Sequence, residues 1–290
     1  MNICILGASG VIGNGIKKKF HKHKIINFNS NFYDFKKKKY KLQKINKKVD
    51  LFIHAGGVTD EEVKKDSFLA FHRASENTTL LLDKLLKKNC KNYIYISSMR
   101  IYSEQSNYLH EKITKINLDN LYKLSHFVTE KIFIDFCKKN KKKYLIVRPG
   151  AVYGFAEKKI NRQKLIPYSF PNELIKKNSI TLKSSGNQFR NFSSNEDVGN
   201  IILKWIRKKN RKSTITNLKG NNTLRVREFA KLCIKIFYKI SNIKSQLYIK
   251  SKNPAGSAEN LKVNQVFKFK AKGNLEKFIV DYIKLLYNKR

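Results

Sequence analysis

Arginine is scarce in a chain that is otherwise crowded with positive charge. Only ten of the 62 basic residues are Arg, set against 21 Asp and Glu, and the formal net charge is +41. A charge of that size raises two readings: a nucleic-acid or anionic-membrane partner, or a solvated surface written in lysine. The lysine runs, at Lys17–Lys19, Lys36–Lys39, Lys87–Lys88 and Lys138–Lys143, are spread along the chain, and no RNA-reading motif with interleaved aromatics accompanies them. That pattern favours the coding bias of an AT-rich genome over nucleic-acid binding. The same field would draw in anionic small substrates.

Cysteine is also sparse. Cys4, Cys90, Cys137 and Cys233 show no CxxC spacing, which argues against a zinc site or a disulfide frame and predicts reduced core thiols. His110 with Glu111 lacks companions for a metal site, and no metal is expected. No apolar run reaches about 18 residues, so no membrane span is predicted. The first strand begins at Asn2, leaving no room for a signal peptide, and a cytoplasmic protein is the expectation.

What is present points to a folded α/β protein. Apolar residues make up 41% and aromatics 12% of 290 residues, enough for one large domain or two unequal ones. "NICILG" is a short apolar run without period-2 alternation, as expected of a strand buried on both faces in a parallel sheet. Further strands are predicted at Lys24–Phe28, Val49–Gly57, Asn92–Ser98 and Lys143–Gly150. Helices are predicted from Val11 to Lys22, over 36–48, from Ser67 to Lys88 and from Asn120 to Lys139. Alternation at βαβ spacing predicts a Rossmann-like, doubly wound parallel sheet. After Gly154 the rhythm changes. Pro167 and Pro171 fall in a stretch that reads as loop, short helix and short strand. Asn195 is the predicted cap of a helix with acids in its first turn. Ser251–Asn264 reads as a loop leading into short helices. The division expected is 1–164 with 193–220 as a dinucleotide-binding domain, and 165–192 with 221–290 as a smaller, mostly helical substrate lobe.

"GASGVIG" sets Gly7, Gly10 and Gly13 between strand and helix. A tight turn, close approach of backbone to a pyrophosphate and a helix N-terminus with amide donors all require such a turn. The second strand ends at Asn29, where dinucleotide sites usually carry an acid for the adenine ribose. A neutral residue there leaves NAD and NADP both open.

These motifs resemble the extended short-chain dehydrogenase/reductases of the NAD-dependent epimerase/dehydratase family. The resemblance implies cofactor contacts from Gly7, Ser9, Gly10, Val11, Ile12, Gly13, Asn29 and Asp34. It implies further contacts from Ala55 and Gly56 of "DLFIHAGG", from Asn77, and from Tyr122 and His126. It implies Ser98 as the catalytic Ser/Thr and as a substrate contact, together with Arg100 at the substrate mouth and Arg190 on a nucleotide-sugar's phosphates. The family's catalytic pair is Tyr-x-x-x-Lys on a helix, and two stretches compete for it. "YLHEK" supplies a literal Tyr108-x-x-x-Lys112, ten residues after Ser98 in a predicted loop. "YKLSH" begins 24 residues after Ser98, near the family's separation, and opens a helix in which Glu130 matches the family's Glu. Tyr122 is therefore assigned as the catalytic tyrosine, with His126 in the lysine's place.

Positions four apart share a helix face, whereas Lys123 lies about 100° round. A free imidazole titrates near ~6.5 and is mostly neutral at pH 7, so the departure predicts impaired or pH-sensitive chemistry. Ala151 stands where nucleotide-sugar members commonly carry Asn, which favours a divergent substrate. His54 is expected to be a satisfied core histidine; the resemblance implies a place near the substrate for Tyr102, which packing alone also explains. The resemblance implies a Tyr-assisted, NAD(P)-dependent epimerase, dehydratase or keto-reductase acting on a nucleotide sugar, assembled as a homodimer. The competing reading is a non-catalytic cofactor-binding protein.

Overall fold

Neighbouring residues along each central strand face opposite layers, and both layers are apolar. The computed structural model describes residues 1–28, 33–34, 39–40, 48–103, 105–157, 165–251 and 260–288. In chain order it contains β1 (Asn2–Leu6), α1 (Val11–Lys19), β2 (Lys24–Phe28), β3 (Tyr33–Asp34), β4 (Lys39–Tyr40) and β5 (Leu51–His54). Helices α2 (Asp60–Lys65), α3 (Ser67–Ala74) and α4 (Glu76–Leu86) lead to β6 (Asn92–Ile96), a 3-10 turn (Met99–Ile101) and β7 (Tyr108–Leu109). Next come α5 (Leu121–Lys139), β8 (Lys143–Pro149), β9 (Ala151–Tyr153), α6 (Ile166–Lys177), β10 (Ser179–Leu182) and β11 (Phe189–Ser194). The chain closes with α7 (Asn195–Arg207), β12 (Thr214–Leu218), β13 (Asn222–Arg225), α8 (Val226–Ser241), β14 (Gln246–Ile249), β15 (Lys262–Val263) and α9 (Leu275–Tyr287).

Among the described residues the main sheet has six strands in the order β12-β8-β6-β5-β1-β2, all parallel. Ile3, Ile5, Ile53, Ile94 and Val147 face α1 and α7, packing on Ile16, Phe20, Ile201 and Trp205. Cys4, Leu6, Phe52, Tyr93, Tyr95 and Ile146 face the other layer, with Leu81, Leu82 and Leu85 of α4 and Phe133 and Cys137 of α5. Helices on both faces explain why the strands read as continuous apolar runs. The fold is the expected Rossmann-like doubly wound sheet. A separate core forms where α6, α8 and α9 meet, around Phe170, Leu174, Phe229, Phe237 and Ile279. There Phe192 of β11 stacks on Phe229 at 4.7 Å. Phe267 and Phe269 return to pack on the α1/α7 side of the sheet.

Several boundaries differ from the sequence reading. The long helix over Ser67–Lys88 is two helices, broken at Ser75 (φ −101°, ψ −85°), whose hydroxyl donates to the Phe71 carbonyl at 2.8 Å. A serine that bonds the preceding turn competes with the helix ladder. Ser194, not Asn195, caps α7, accepting from the Asp197 N–H at 3.0 Å. Asn195 is buried and reaches across to α1, donating to the Val11 carbonyl at 2.8 Å. In the stretch 36–48, Lys39–Tyr40 is strand where a helix was predicted, and the rest up to 47 lies outside the described residues. Past residue 260 the chain makes β15 and then one helix of 13 residues, α9, rather than several short ones.

Candidate functional site

The chain leaves β1 toward β2 on one side and returns to β5 on the other, so a crevice opens at the carboxyl ends of β1 and β5. Gly7 lines it with φ +83°, and a Cβ there would meet the Gly56 nitrogen at 2.7 Å and the Ala55 carbonyl oxygen at 2.8 Å. Gly13 packs so closely that a Cβ would meet the Gly7 carbonyl oxygen at 2.2 Å. Gly10 caps α1 without a side-chain hydrogen bond, leaving the first amides of the helix facing the turn. Asn29 lies outside the described residues, and Asp34 is described only as β3 backbone.

Two local signals place the candidate phenol. Asn120 caps α5, its Oδ1 accepting from the Lys123 N–H at 3.1 Å, so Tyr122 sits in the first turn. Ser98 lies two residues past β6 and caps the 3-10 turn, accepting from the Arg100 N–H at 3.2 Å. The Ser98 hydroxyl stands near enough to the Tyr122 phenol to draw its pKa down. Lys123 is buried and turned to Asp119, with Nζ 3.0 Å from its carboxylate. The Arg100 guanidinium lies 4.2 Å from the Tyr122 ring centroid. Its fork holds Asp60, with Nη2 donating to Oδ1 at 3.2 Å and Nη1 to Oδ2. Burial raises the phenol's pKa above its ordinary value, while Arg100's charge and the neighbouring Ser98 hydroxyl pull it down.

His126 is 5% exposed and both ring nitrogens have partners. The Tyr95 hydroxyl lies 2.7 Å from Nδ1, and Nε2 lies 3.2 Å from the Val58 carbonyl. A carbonyl only accepts, so Nε2 carries the proton and Nδ1 accepts from Tyr95. Burial pushes the imidazole down to about 4, with the Val58 carbonyl opposing. The ring is therefore neutral at pH 7, and it packs against the glycine loop: a Cβ at Gly57 would meet its Cε1 at 2.7 Å. His54, expected to be satisfied, is buried with Nδ1 unpartnered among the described residues. It shares a cavity of about 10 Å³ with Asn77, whose Oδ1 is likewise unpartnered, and with Gly56, Gly57 and Arg73. That volume is about one water.

Sequence reasoning missed the anchor of α5. Glu130 meets Arg148 of β8 in a buried two-point pair, Nε to Oε1 at 2.9 Å and Nη2 to Oε2 at 2.6 Å. Arg148 Nη1 also donates to the Tyr102 hydroxyl at 2.8 Å, which donates to Asn217 Oδ1 at 2.9 Å. Tyr102 is thus fully engaged in packing and bonding. A lone Arg inside the apolar run "YLIVRPG" was the available signal. Tyr108 lies elsewhere, on β7 paired with β15, with its side chain 43% exposed. Arg190 is on β11, with Nη1 donating to the Phe189 carbonyl at 3.0 Å. The four cysteines are free and buried. Among the described residues no His/Cys/Asp/Glu cluster could hold a metal, and no helix is long and apolar enough to cross a membrane.

Comparison with known families gives one match, the NAD dependent epimerase/dehydratase family, over residues 3–218. The chain belongs to this family. Solved structures of similar fold include a UDP-glucuronic acid 4-epimerase from Bacillus cereus in complex with UDP-glucuronic acid and NAD. It is 17% identical, with 99% of this chain and 100% of that one covered and a TM-score of 0.79. RMD from Pseudomonas aeruginosa, complexed with NADPH, is 16% identical, with coverage of 100% and 99% and a TM-score of 0.78. The UDP-glucose 4-epimerase of Thermus thermophilus, in complex with NAD, is 13% identical over 99% of both chains, with a TM-score of 0.76. A search of curated proteins returned no match. The coenzyme named by the family fits the residues present. The Gly7 and Gly13 cradle, which a Cβ would fill, and the uncapped start of α1 suit a diphosphate.

Proposed function

We propose that this epimerase/dehydratase-family protein is an NAD(P)-dependent enzyme acting on a nucleotide sugar, as an epimerase, dehydratase or keto-reductase, in the cytoplasm and as a homodimer. The observation that carries the reading is the place of the Tyr122 phenol, in the first turn of α5 beside Ser98, beneath Arg100 and against His126, whose ring packs on Gly57 of the glycine-lined crevice. In this reading 1–164 with 193–220 hold the coenzyme, and 165–192 with 221–290 select the substrate. The turn of Gly7, Ser9, Gly10, Val11, Ile12 and Gly13 cradles the diphosphate, Asn29 and Asp34 serve the adenosine end, and Ala55, Gly56 and Asn77 border the redox end. The coenzyme, when bound, takes up and returns hydride.

The chain's own groups handle the proton. Ser98 fixes the sugar hydroxyl and the Tyr122 oxygen in one hydrogen-bonded line. Tyr122 accepts the hydroxyl proton as the carbon is oxidised and returns it on reduction. Arg190 holds phosphate, and Arg100 borders the sugar. Similar folds in complex with UDP-sugars and nicotinamide coenzymes support the substrate class.

A nicotinamide absorbance change on adding candidate sugar nucleotides tests this. Turnover that survives Tyr122→Phe but not Tyr108→Phe would refute the assignment. A second reading, a cofactor-binding protein without turnover, draws on His126, which is neutral and already bonded at both nitrogens. Coenzyme retained through purification, with no absorbance change for any sugar nucleotide, would favour it.

A further inference from the structure

A half-buried phenol that exchanges a proton needs a cation to steady its anionic form, because burial disfavours charge. The groups around Tyr122 come from four elements. From its own helix comes His126, ring to ring at 4.6 Å, kept neutral by burial, with its bare Nδ1 accepting from Tyr95. Further along that helix Glu130 is consumed by Arg148. From β6 and the residues just past it come Tyr95, whose own proton goes to His126, and the Ser98 hydroxyl. From the 3-10 turn comes Arg100, with its guanidinium over the phenol ring at 4.2 Å. From the start of α2 comes Asp60, bound across the fork of Arg100.

Arg100 therefore brings a permanent positive charge to the phenol from outside the helix, and Asp60 offsets part of it. The pair is exposed at 43% and 42% of its side-chain surface, so water screens it and its coupling to Tyr122 is adjustable. Guanidinium stacking on an aromatic face favours the ring all the more once the phenol carries negative charge.

We propose that Arg100 is the positioning residue that steadies the negative charge of Tyr122, that Asp60 meters this effect by holding the guanidinium, and that His126 acts only as a neutral packing group. The inference rests on Tyr122 being the proton-transfer group, and it locates the electrostatic partner of that group on a different element from the one the helix spacing indicates.

The test reads the phenol directly, whether or not a nucleotide sugar is turned over. The full-length protein is labelled with 3-fluorotyrosine, whose more acidic phenol titrates before alkaline unfolding. The Tyr122 resonance is assigned by its loss in Tyr122→Phe and followed by fluorine NMR against pH. Arg100→Gln is expected to raise the titration midpoint by about one pH unit, and Arg100→Lys by less. Asp60→Asn is expected to lower it, a change of opposite sign at an exposed residue. His126→Gln is expected to move it by less than either Arg100→Gln or Asp60→Asn. An unchanged midpoint in both Arg100→Gln and Asp60→Asn overturns the proposal, as does a larger shift from His126→Gln. The remaining tyrosine resonances report folding in each variant. Where turnover is measurable, the acidic limb of the kcat–pH profile follows the same order. If the midpoints move as expected but no substrate reacts, the reading of the protein as an enzyme fails while the coupling stands.

Discussion

Two stretches of this chain begin with tyrosine and carry a basic residue four places later, and they have opposite fates. "YLHEK" contains the literal Tyr-x-x-x-Lys, yet Tyr108 and Leu109 form a two-residue strand on Lys262–Val263, with the tyrosine ring in solvent. Its Glu111 faces inward, accepting from the Asn217 and Val266 N–H groups at 2.8 and 2.9 Å and from Asn264 Nδ2 at 2.8 Å. "YKLSH" lacks the lysine, yet it opens a capped helix, puts its phenol beside Ser98 and is anchored one turn past His126 by Glu130 and Arg148. The letters of a motif are placed by their backbone. A capped helical frame sets Tyr122 beside Ser98, and a surface turn stitched to a C-terminal segment leaves Tyr108 on a separate two-residue strand.

The sharpest way to break this contrast is kinetic. Tyr122→Phe is expected to lower kcat by about 10²–10⁴-fold, the usual scale for a lost general acid–base group, with coenzyme affinity retained. Tyr108→Phe should leave turnover close to that of the unaltered protein. Equal losses in the two variants would erase the distinction.

Next in size is the anchoring of each stretch. Arg148→Met leaves the Glu130 carboxylate buried without its partner and is expected to cost about 3–5 kcal/mol. Glu111→Gln weakens the hydrogen bonds that hold the Tyr108 turn and should cost less, about 1–3 kcal/mol. Urea unfolding of both variants gives the ranking, and a reversed order would mean that the surface turn, not the helix, is the better-held element.

Protonation supplies a third comparison, because the Tyr122 region rests on histidines held neutral. Burial lowers His54 to about 3, helped by the charge of Arg73, and His126 to about 4. The unfolded value is near ~6.5, so between these limits the unfolded chain binds more protons than the native one. Stability therefore falls as pH drops below about 6.5, at a rate on the order of 1 kcal/mol per pH unit for each histidine, and levels off once the folded forms are also protonated. Urea midpoints at pH 7 and pH 5 should differ, and His126→Gln should remove part of the difference. A flat profile across that window would show that the rings are charged or solvated in the native state.

The smallest effect concerns the exposed ring itself. Tyr108→Phe should change stability by no more than about 0.5 kcal/mol, read from the same urea curves, since its side chain is 43% exposed.

Much of the fold was legible because its signals are local. Runs such as "NICILG" and "KYLIVRPG" are apolar on both alternating sets, which only a sheet covered on both faces explains, and Gly7 and Gly13 mark the turn where no Cβ fits. The preference for Tyr122 over Tyr108 rested on the spacing from Ser98, on the helix that Tyr122 opens and on Glu130 within it. Less legible were the features that depend on partners distant in sequence. Arg148 and Glu130 meet from 18 residues apart, Tyr95 and His126 from 31, and Asp60 and Arg100 from 40. The break at Ser75 escaped because apolar residues resume beyond it at Leu80, and only the structure shows the backbone turn there and the hydroxyl's bond to Phe71.

By itself, then, the sequence determined the doubly wound sheet, the glycine crevice and the phenol at the head of α5, because hydrophobic period, turn chemistry and helix caps act within a few residues. Tertiary structure alone decided what surrounds that phenol. His126 is neutral because its position buries it between Tyr95 and Val58, and Arg100 stands over the Tyr122 ring because the turn after β6 brings it there. Electrostatics depends on distance and dielectric in three dimensions, and neither is written in the order of the residues.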